Sequence, residues 1–420
     1  MTSLADEVDI FTDMETISNP MPWLEALRAK GPVVKLPGRN IVAVVGHREG
    51  VSVYQNADDF SSIFSFGGPL QPVEFTESDD ISDQISAARP GVLGGNNIIT
   101  ADPPEHGRIK ALLMGVITPK RVAENESFVA DLADERIDAM LDKGTVEAFE
   151  EYGRPIARFT VADLLGVPKE DHEKLVVEAH APPGAIEAAI EASIQNDNAV
   201  RNYFREFVAD RRANPKNDVM SRIAQVPYGD GTMPPIEDLV ALASLLFTAG
   251  EDTSSRVIIG ALRWIAEMPE LQDRLRGNPE LIPDFVEEML RYDNPGLASW
   301  RVAKRNTKIG DYPVKAGTRI MVAIAGMNRD PQVFEHPAEL DIDRPNKRHH
   351  VAFARGVHAC PGAPVARAEV RIAIERLLAR TSRFTIDDDR HGPANDRRYN
   401  FLPSYFVKGL VDLHLRLEKA

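Results

Sequence analysis

Phe353-Ala354-Arg355-Gly356-Val357-His358-Ala359-Cys360-Pro361-Gly362 contains the only cysteine in 420 residues. A lone cysteine cannot close an intramolecular disulfide, and on its own it reads as a small buried hydrophobe. Its neighbours point elsewhere. Gly356 and Gly362 bracket it and permit backbone turns that other residues resist. Pro361 and Pro364 lead into the apolar-periodic run Ala366, Val370, Ile374, Leu377 and Leu378, which predicts a helix starting just after the cysteine. A helix N-terminus favours an adjacent anion, and so thiolate over thiol. A thiolate in a glycine-framed turn is a soft metal ligand with one open side.

The spacing Phe353-x-x-Gly356-x-His358-x-Cys360-x-Gly362 resembles the haem-ligand signature of the cytochrome P450 family. The resemblance implies that Cys360 is the metal ligand, the proximal thiolate of haem b (iron protoporphyrin IX), with Phe353 and His358 beside the cofactor. In that family the thiolate pushes electron density toward O–O cleavage. Two positions depart from the pattern. Ala354 stands where the family usually has glycine, and Pro361 follows the cysteine where leucine or isoleucine is common.

The longest helical signal runs from Ile236 to Met268, with Leu239, Leu242, Leu246, Phe247, Val257, Ile258, Ala261, Leu262 and Ile265 at helical spacing. Its middle, Ala249-Gly250-Glu251-Asp252-Thr253, breaks the rule, because Gly, Asp and Thr are poor helix-interior residues. Such local failures of pattern sit at functional sites, although a charged surface turn reads the same way. The run resembles the family's Ala-Gly-x-Asp-Thr segment. By that resemblance Ala249 and Gly250 lie against the cofactor, glycine letting the helix widen to admit oxygen and water. Thr253 and Asp252 are then the catalytic pair, Thr253 a hydrogen-bond donor to bound dioxygen and Asp252 a relay of protons from solvent. Leu245, Phe247 and Thr248 on this helix, with Leu297, Ala298 and Phe406, are expected to line the substrate pocket.

Three further patterns occur in the order the resemblance requires. His106 and Lys110, four apart on a helix opened by Pro103 and Pro104, share one face; a solvated charge face is the plain reading. In the family a histidine and an arginine at these positions bind haem propionates, so Lys110 supplies charge without a bidentate fork. Arg301 matches the family's propionate-binding arginine. Glu288 and Arg291, at i and i+3, match its buried structural pair, with Arg344 as a candidate third partner. The stretch 61–98 has no sustained period and by resemblance covers the pocket.

Composition narrows the class. Hydrophobic content of 43% with 27% charged residues is ordinary for a globular protein, and the net charge of −15 argues against nucleic-acid binding. The acidic start of the chain carries no signal peptide or membrane anchor, and no run of about 18 apolar residues occurs. One cysteine fits a reducing cytoplasm. No Gly-x-Gly-x-x-Gly unit or cysteine cluster is present, so electrons must come from other proteins.

The fold expected is mainly α with a small β portion, a single large domain over residues 1–420 with a long central helix over haem and a flexible stretch over 1–20. The implied activity is a haem-thiolate monooxygenase acting on O₂ and a small-to-medium apolar organic substrate. Electrons would come from NAD(P)H through a ferredoxin reductase and an iron–sulfur ferredoxin, and the chain is expected to be a cytoplasmic monomer. From Arg344 to Arg380 there are eight Lys/Arg against two Asp/Glu, a local charge of +6. The ferredoxin is therefore expected to dock there, with Arg355 and Arg367 exposed. Alternatives are a haem-thiolate peroxygenase or isomerase, a haem-binding sensor, which needs no acid–alcohol pair, and a zinc site of Cys360, His358 and His349 or His350. Closed zinc sites favour cysteine pairs at short spacing, which this chain lacks.

Overall fold

The computed structural model describes residues 3–420 except 66, 67, 69, 70, 93, 95, 96, 114 and 177–185, and describes only the backbone of 186–194. The break expected at Ala181–Gly184 and the loop residue Phe66 lie outside the described residues.

The fold is built round one helix, Ile236–Glu267, of 32 residues. At 1.5 Å per residue it spans about 48 Å. Most of its circumference is buried, Leu239, Leu242, Phe247, Val257, Ile258, Ala261, Leu262 and Ile265 included. Three helices pack on it: Arg154–Leu164, Ile186–Ala213 and Ala363–Arg380, the last being the helix expected after Cys360. Gly250 allows the first of these contacts. A Cβ there would lie 2.6 Å from Val161 Cγ2, so any side chain would push the helix Arg154–Leu164 away.

The β portion lies to one side. Val33–Lys35, Ile41–Val44, Arg319–Val322, Ser299–Ala303 and Phe60–Ser61 form, in that order, a five-stranded sheet. Its only parallel pair joins Ile41–Val44 to Arg319–Val322. The antiparallel pair Val33–Lys35 and Ile41–Val44 lies at the edge of this sheet. A three-stranded sheet of Thr145–Glu147, His414–Lys419 and Thr381–Ile386 returns the C-terminus to the helical core.

Within the stretch 1–20, expected to be flexible, the described residues carry regular elements. Two short helices, Leu4–Glu7 and Met14–Ser18, are capped by Ser3 and Asp13. Ala5, Ile10, Phe11 and Ile17 are buried, and the Tyr405 hydroxyl donates to the Phe11 carbonyl at 2.5 Å. The apolar residues among the acidic ones anchor the segment.

Two buried carboxyls show opposite solutions to burial. Glu288 has no exposed side-chain surface and accepts from Arg291 Nε and Nη2 at 2.7 Å each, from Arg344 Nε at 3.2 Å and from the Asp341 amide at 2.9 Å. This is the expected triad. Glu369, on the helix Ala363–Arg380, is 1% exposed and faces only the hydroxyls of Ser254 and Thr160; its Oε2 has no hydrogen-bond partner. Burial without a cation pushes its carboxyl up to about 8. A raised carboxyl stays protonated in the folded state while the unfolded chain ionises above about pH 4.3, so this group lowers stability progressively from there to about pH 8. Glu369→Gln should remove that slope. Between pH 5 and 8 the unfolding free energy of the variant, from urea titration, should fall less than that of the native protein, by an amount on the order of a few kcal/mol at pH 8. Parallel stability curves would show that Glu369 is ionised and partnered in the fold.

Candidate active site

Cys360 is held by its own loop. Its amide donates to the Phe353 carbonyl at 2.9 Å, and the amides of Gly362 and Ala363 point at the sulfur. Gly356 has φ +69°, and a Cβ there would meet the Tyr54 carbonyl oxygen at 2.2 Å, so only glycine fits. Gly362, by contrast, has an ordinary φ of −76°. Ala354, at the position where glycine was noted as usual, adopts φ +54°, a left-handed conformation costing about 1 kcal/mol. Cys360 is exposed, and desolvation by the surrounding protein pushes its thiol above the usual range against the pull of the two amides and Arg367. The helix N-terminus alone does not produce a thiolate; displacement of the proton by a metal ion would.

Phe353 packs beneath the Arg367 guanidinium, 4.6 Å from its ring centroid. Arg367 is tied to Glu287, which also accepts from His350 Nε2 at 3.2 Å. Burial would raise the Glu287 carboxyl, but the hydrogen bonds from His350 and Arg367 outweigh it and hold it at about 2. Arg367 is therefore committed within the fold, not free for docking as expected. The same holds for much of the basic window. Arg371 and Arg376 pair with Glu126 and Asp134 at 2.7 and 2.8 Å, Arg380 with Asp138, and Lys347 with Asp284 at 3.6 Å. Three of these arginines fasten the helix Ala363–Arg380 to the helix Pro119–Leu141.

On the other side of the cysteine loop four donors converge. His106 and His358 lie with ring centroids 4.2 Å apart, Lys110 Nζ donates to the Val357 carbonyl at 2.8 Å, and Arg301 is 4% exposed. Arg301 Nη1 is held by Ser65 Oγ and the Trp300 carbonyl, both at 2.7 Å, with the guanidinium 5.5 Å from the Tyr54 ring. Burial, then Arg301, His106 and Lys110, drive His358 down to about 2. Among the described residues none of the four pairs with a carboxylate, and the buried His358 Nε2 has no hydrogen-bond partner. A buried guanidinium, a half-buried lysine and an orphaned ring nitrogen with no protein anion fit a group that brings its own carboxylates, as haem propionates do. The zinc alternative finds no support in placement: His350 is committed to Glu287 and His358 packs at a tilt against His106.

The central helix supplies a stripe facing open space. Leu245, Thr248, Ala249, Asp252 and Thr253 all keep accessible surface on one face, opposite the buried Phe247. Thr253 Oγ1 donates to the Ala249 carbonyl at 2.7 Å, which leaves the hydroxyl's lone pairs directed outward. Asp252 is held by Arg256, through Nε at 3.0 Å and Nη2 at 2.7 Å. Three expected pocket residues are not on this surface. Phe247 is 1% exposed and packs edge-on to Phe204, 6.0 Å between centroids, on the far side of the helix. Leu297 and Ala298 are enclosed in the core cluster with Phe11 and Trp300. Phe406 is half-buried against Trp300 and Gly68. Sequence reading missed a cavity of about 500 Å³ one turn earlier on the helix, bounded by Ala241, Leu242, Ile85, Ile98 and Arg89. The stretch 61–98, expected to cover the pocket, supplies its wall through the helix Ser82–Ala88.

The sequence model of the cytochrome P450 family matches residues 189–402. The chain belongs to the cytochrome P450 family. Cytochrome P450 109 of Bacillus spizizenii is 32% identical over 329 residues, 76% of this chain and 79% of that protein. Among solved structures, substrate-free CYP150A6 of Mycobacterium marinum is 40% identical with a TM-score of 0.92, covering 99% of this chain and 100% of its own. CYP109E1 of Bacillus megaterium, in complex with corticosterone, is 25% identical with a TM-score of 0.80, covering 96% and 99%. This P450 is thus a haem-thiolate monooxygenase that binds haem b through its one cysteine, Cys360. No helix among the described residues is long and apolar enough to cross a membrane.

Pro361 leaves the sulfur with one amide fewer than a chain with leucine there, because proline has no N–H. Amide hydrogen bonds withdraw electron density from a thiolate and raise the potential of its metal. Pro361→Leu should raise the substrate-free reduction potential by about 40 mV, on the order of 1 kcal/mol for one electron and the worth of one ordinary hydrogen bond. Redox titration of both proteins measures it; no change or a fall would leave proline a purely conformational role.

Proposed function

We propose that this P450 inserts one atom of O₂ into a small-to-medium apolar organic substrate, with electrons from NAD(P)H delivered through a ferredoxin reductase and an iron–sulfur ferredoxin. The observation that carries the reading is the stripe of the central helix: apolar surface at Leu245 and Ala249 that ends at Asp252 and Thr253. The corticosterone complex of CYP109E1 supports an apolar substrate class for a related pocket. Haem b, when bound, supplies reductive activation of O₂ at an iron held by Cys360.

The chain's own residues do the rest. His106, Lys110, Arg301 and His358 hold the cofactor's carboxylates, neutralising charge that the protein leaves unpaired. Phe353, packed under Arg367, holds the Cys360 amide with its carbonyl. Thr253 holds a proton-bearing group at its outward lone pairs, and Asp252 moves protons between solvent and that hydroxyl. A peroxide-driven enzyme, an isomerase or a sensor has no use for this pair. The electron donor docks over the exposed turn carrying Arg348 and Arg355, the cations of the basic window for which no carboxylate partner occurs among the described residues. A positive patch on a chain of net charge −15 steers an acidic partner.

Thr253→Ala should leave substrate binding intact, read as the substrate-induced shift of the haem absorbance, while product formed per NADH consumed falls several-fold and peroxide rises. Unchanged coupling would make Thr253 only a helix residue. Arg348→Glu together with Arg355→Glu should slow reduction by ferredoxin at least tenfold at low ionic strength and erase its salt dependence. A reduction rate indifferent to both would move the docking site elsewhere.

A further inference from the structure

We propose that Arg256 is a positioning residue that ties Asp252 to the strap 404–410, so that proton delivery responds to the position of the segment carrying Phe406. The proposal rests on the reading of Asp252 as the proton relay.

Arg256 is not an ordinary surface partner. An exposed ion pair at i and i+4 on a helix contributes little and its arginine waves in solvent. Here the Arg256 side chain is 8% exposed while that of Asp252 is 42% exposed. Two of its nitrogens, Nε and Nη2, fall on the same oxygen, Asp252 Oδ1. Oδ2 is left without a hydrogen-bond partner among the described residues, free to carry a proton. The third nitrogen, Nη1, donates to the Leu410 carbonyl at 2.8 Å, and the guanidinium lies 5.4 Å from the Phe149 ring. The neighbouring acid does not compete, since Glu251 turns to Arg158 at 2.7 Å and Arg154 at 3.7 Å. Among the described residues Arg256 is the only cation paired with Asp252.

The strap rests on the stem of the same arginine. Gly409 has φ +152°, and a Cβ there would lie 3.0, 3.1 and 3.2 Å from Arg256 Cδ, Cβ and Cγ. Backbone of 409–410 is thus in contact with Arg256 at both ends of its side chain. The strap is only partly buried and is held at separate points. Residues 404–409 are all partly exposed, and they are fixed by the Tyr405 hydroxyl on the Phe11 carbonyl at 2.5 Å, the Leu297 amide on the Phe406 carbonyl at 2.8 Å, the Lys408 amide on the Pro295 carbonyl at 2.7 Å, the ion pair of Lys408 with Asp293 and the Leu402 amide on the Gly409 carbonyl at 2.9 Å. A ligand that presses on Phe406 loads a segment that is anchored at Lys408 and then, through the backbone of 409–410, at Arg256, and any shift of Arg256 changes what Asp252 Oδ1 is bound to. A relay held still while the strap is at rest limits protonation to the occupied site; losing the hold frees Asp252 to protonate whether or not substrate is present.

The test uses the haem-loaded protein without substrate, reduced chemically and then exposed to oxygen, with peroxide formation followed in H₂O and D₂O. Arg256→Gln should speed peroxide formation several-fold and change its solvent isotope effect, and Arg256→Lys should restore most of the native rate. Gly409→Ala, which leaves both members of the ion pair in place, should act in the same direction by displacing the arginine stem. Adding Arg256→Gln to Asp252→Asn should have no further effect, because the arginine acts through the aspartate. Hydrogen exchange supplies a readout independent of oxygen chemistry: by reciprocity, Asp252→Asn should raise exchange of the strap amides severalfold. An Arg256→Gln effect that persists undiminished in the Asp252→Asn background, or strap exchange unchanged by Asp252→Asn, would overturn the coupling. If Asp252→Asn is silent in both peroxide formation and product per NADH, the relay reading itself falls and the proposal with it. If Asp252→Asn acts and Arg256→Gln does not, only the proposal falls.

Discussion

Everything on the cysteine side of this molecule depends on Glu288 being satisfied. A carboxylate with no exposed surface costs several kcal/mol to desolvate and is tolerated only with its lone pairs filled. Arg291 fills two of them from its own helix. The rest must come from far along the chain, and they do: Arg344 and the Asp341 amide reach back, while Arg291 extends to the carbonyls of Asn328, Pro337 and Glu339. An irregular stretch with no secondary structure to order it is thereby fixed at both ends. Asn328 then accepts from the Val351 amide at 2.8 Å, and the loop that follows places the Phe353 carbonyl under the Cys360 amide. The position of the sulfur is inherited from an ion pair that has no chemistry of its own.

Charge is distributed between the two sides of that loop by whether it is answered within the chain. Arg367, Arg371, Arg376 and Arg380 all meet carboxylates, so their role is to join helices. His106, Lys110, Arg301 and His358 meet none, although two of them are deeply buried. Burial of an unanswered cation is unfavourable in proportion to its desolvation, and a fold that keeps Arg301 against Tyr54 and Ser65 without an acid is complete only with an anionic guest. Binding of such a guest and stability of this region are one quantity.

The parts legible in the sequence were those fixed by local pattern and covalent constraint. Cys360 was unique, Glu288 and Arg291 were one helical turn apart, and the period of Ile236–Glu267 was long enough to set its ends within a residue. Phase was legible too, but composition was followed instead. At about 100° per residue, Leu245, Thr248, Ala249, Asp252 and Thr253 fall on one face and Phe247 on the opposite one. An aromatic residue was assigned to the pocket because pockets are apolar, although cores are more so. Leu297 and Ala298 share a buried cluster with Phe11, Trp300 and the N-terminal stretch, whose docking is a long-range event with no signature in an acidic run. The +6 window misled because a count of charges along the chain ignores the acids that helix packing brings alongside, here Glu126, Asp134 and Asp138 from over 200 residues away.

The segment Ala249–Thr253 shows why poor helix formers can hold the middle of a long helix. Each residue that breaks the pattern has a partner that repays the helix. Gly250 admits Val161, Glu251 meets Arg158, Asp252 meets Arg256 and Thr253 returns its hydrogen to the Ala249 carbonyl. A threonine hydroxyl bonded to the carbonyl four residues back satisfies itself within the helix, an arrangement that bends helices slightly. The helix runs through the segment from Ile236 to Glu267, and the bare Cα of Gly250 serves packing against Val161. What distinguishes this segment from a structural one is the remainder after those partners are counted: the outward lone pairs of Thr253 and the unpaired Oδ2 of Asp252, adjacent, on the face that carries Leu245 and Ala249. A helix optimised for stability alone would leave neither.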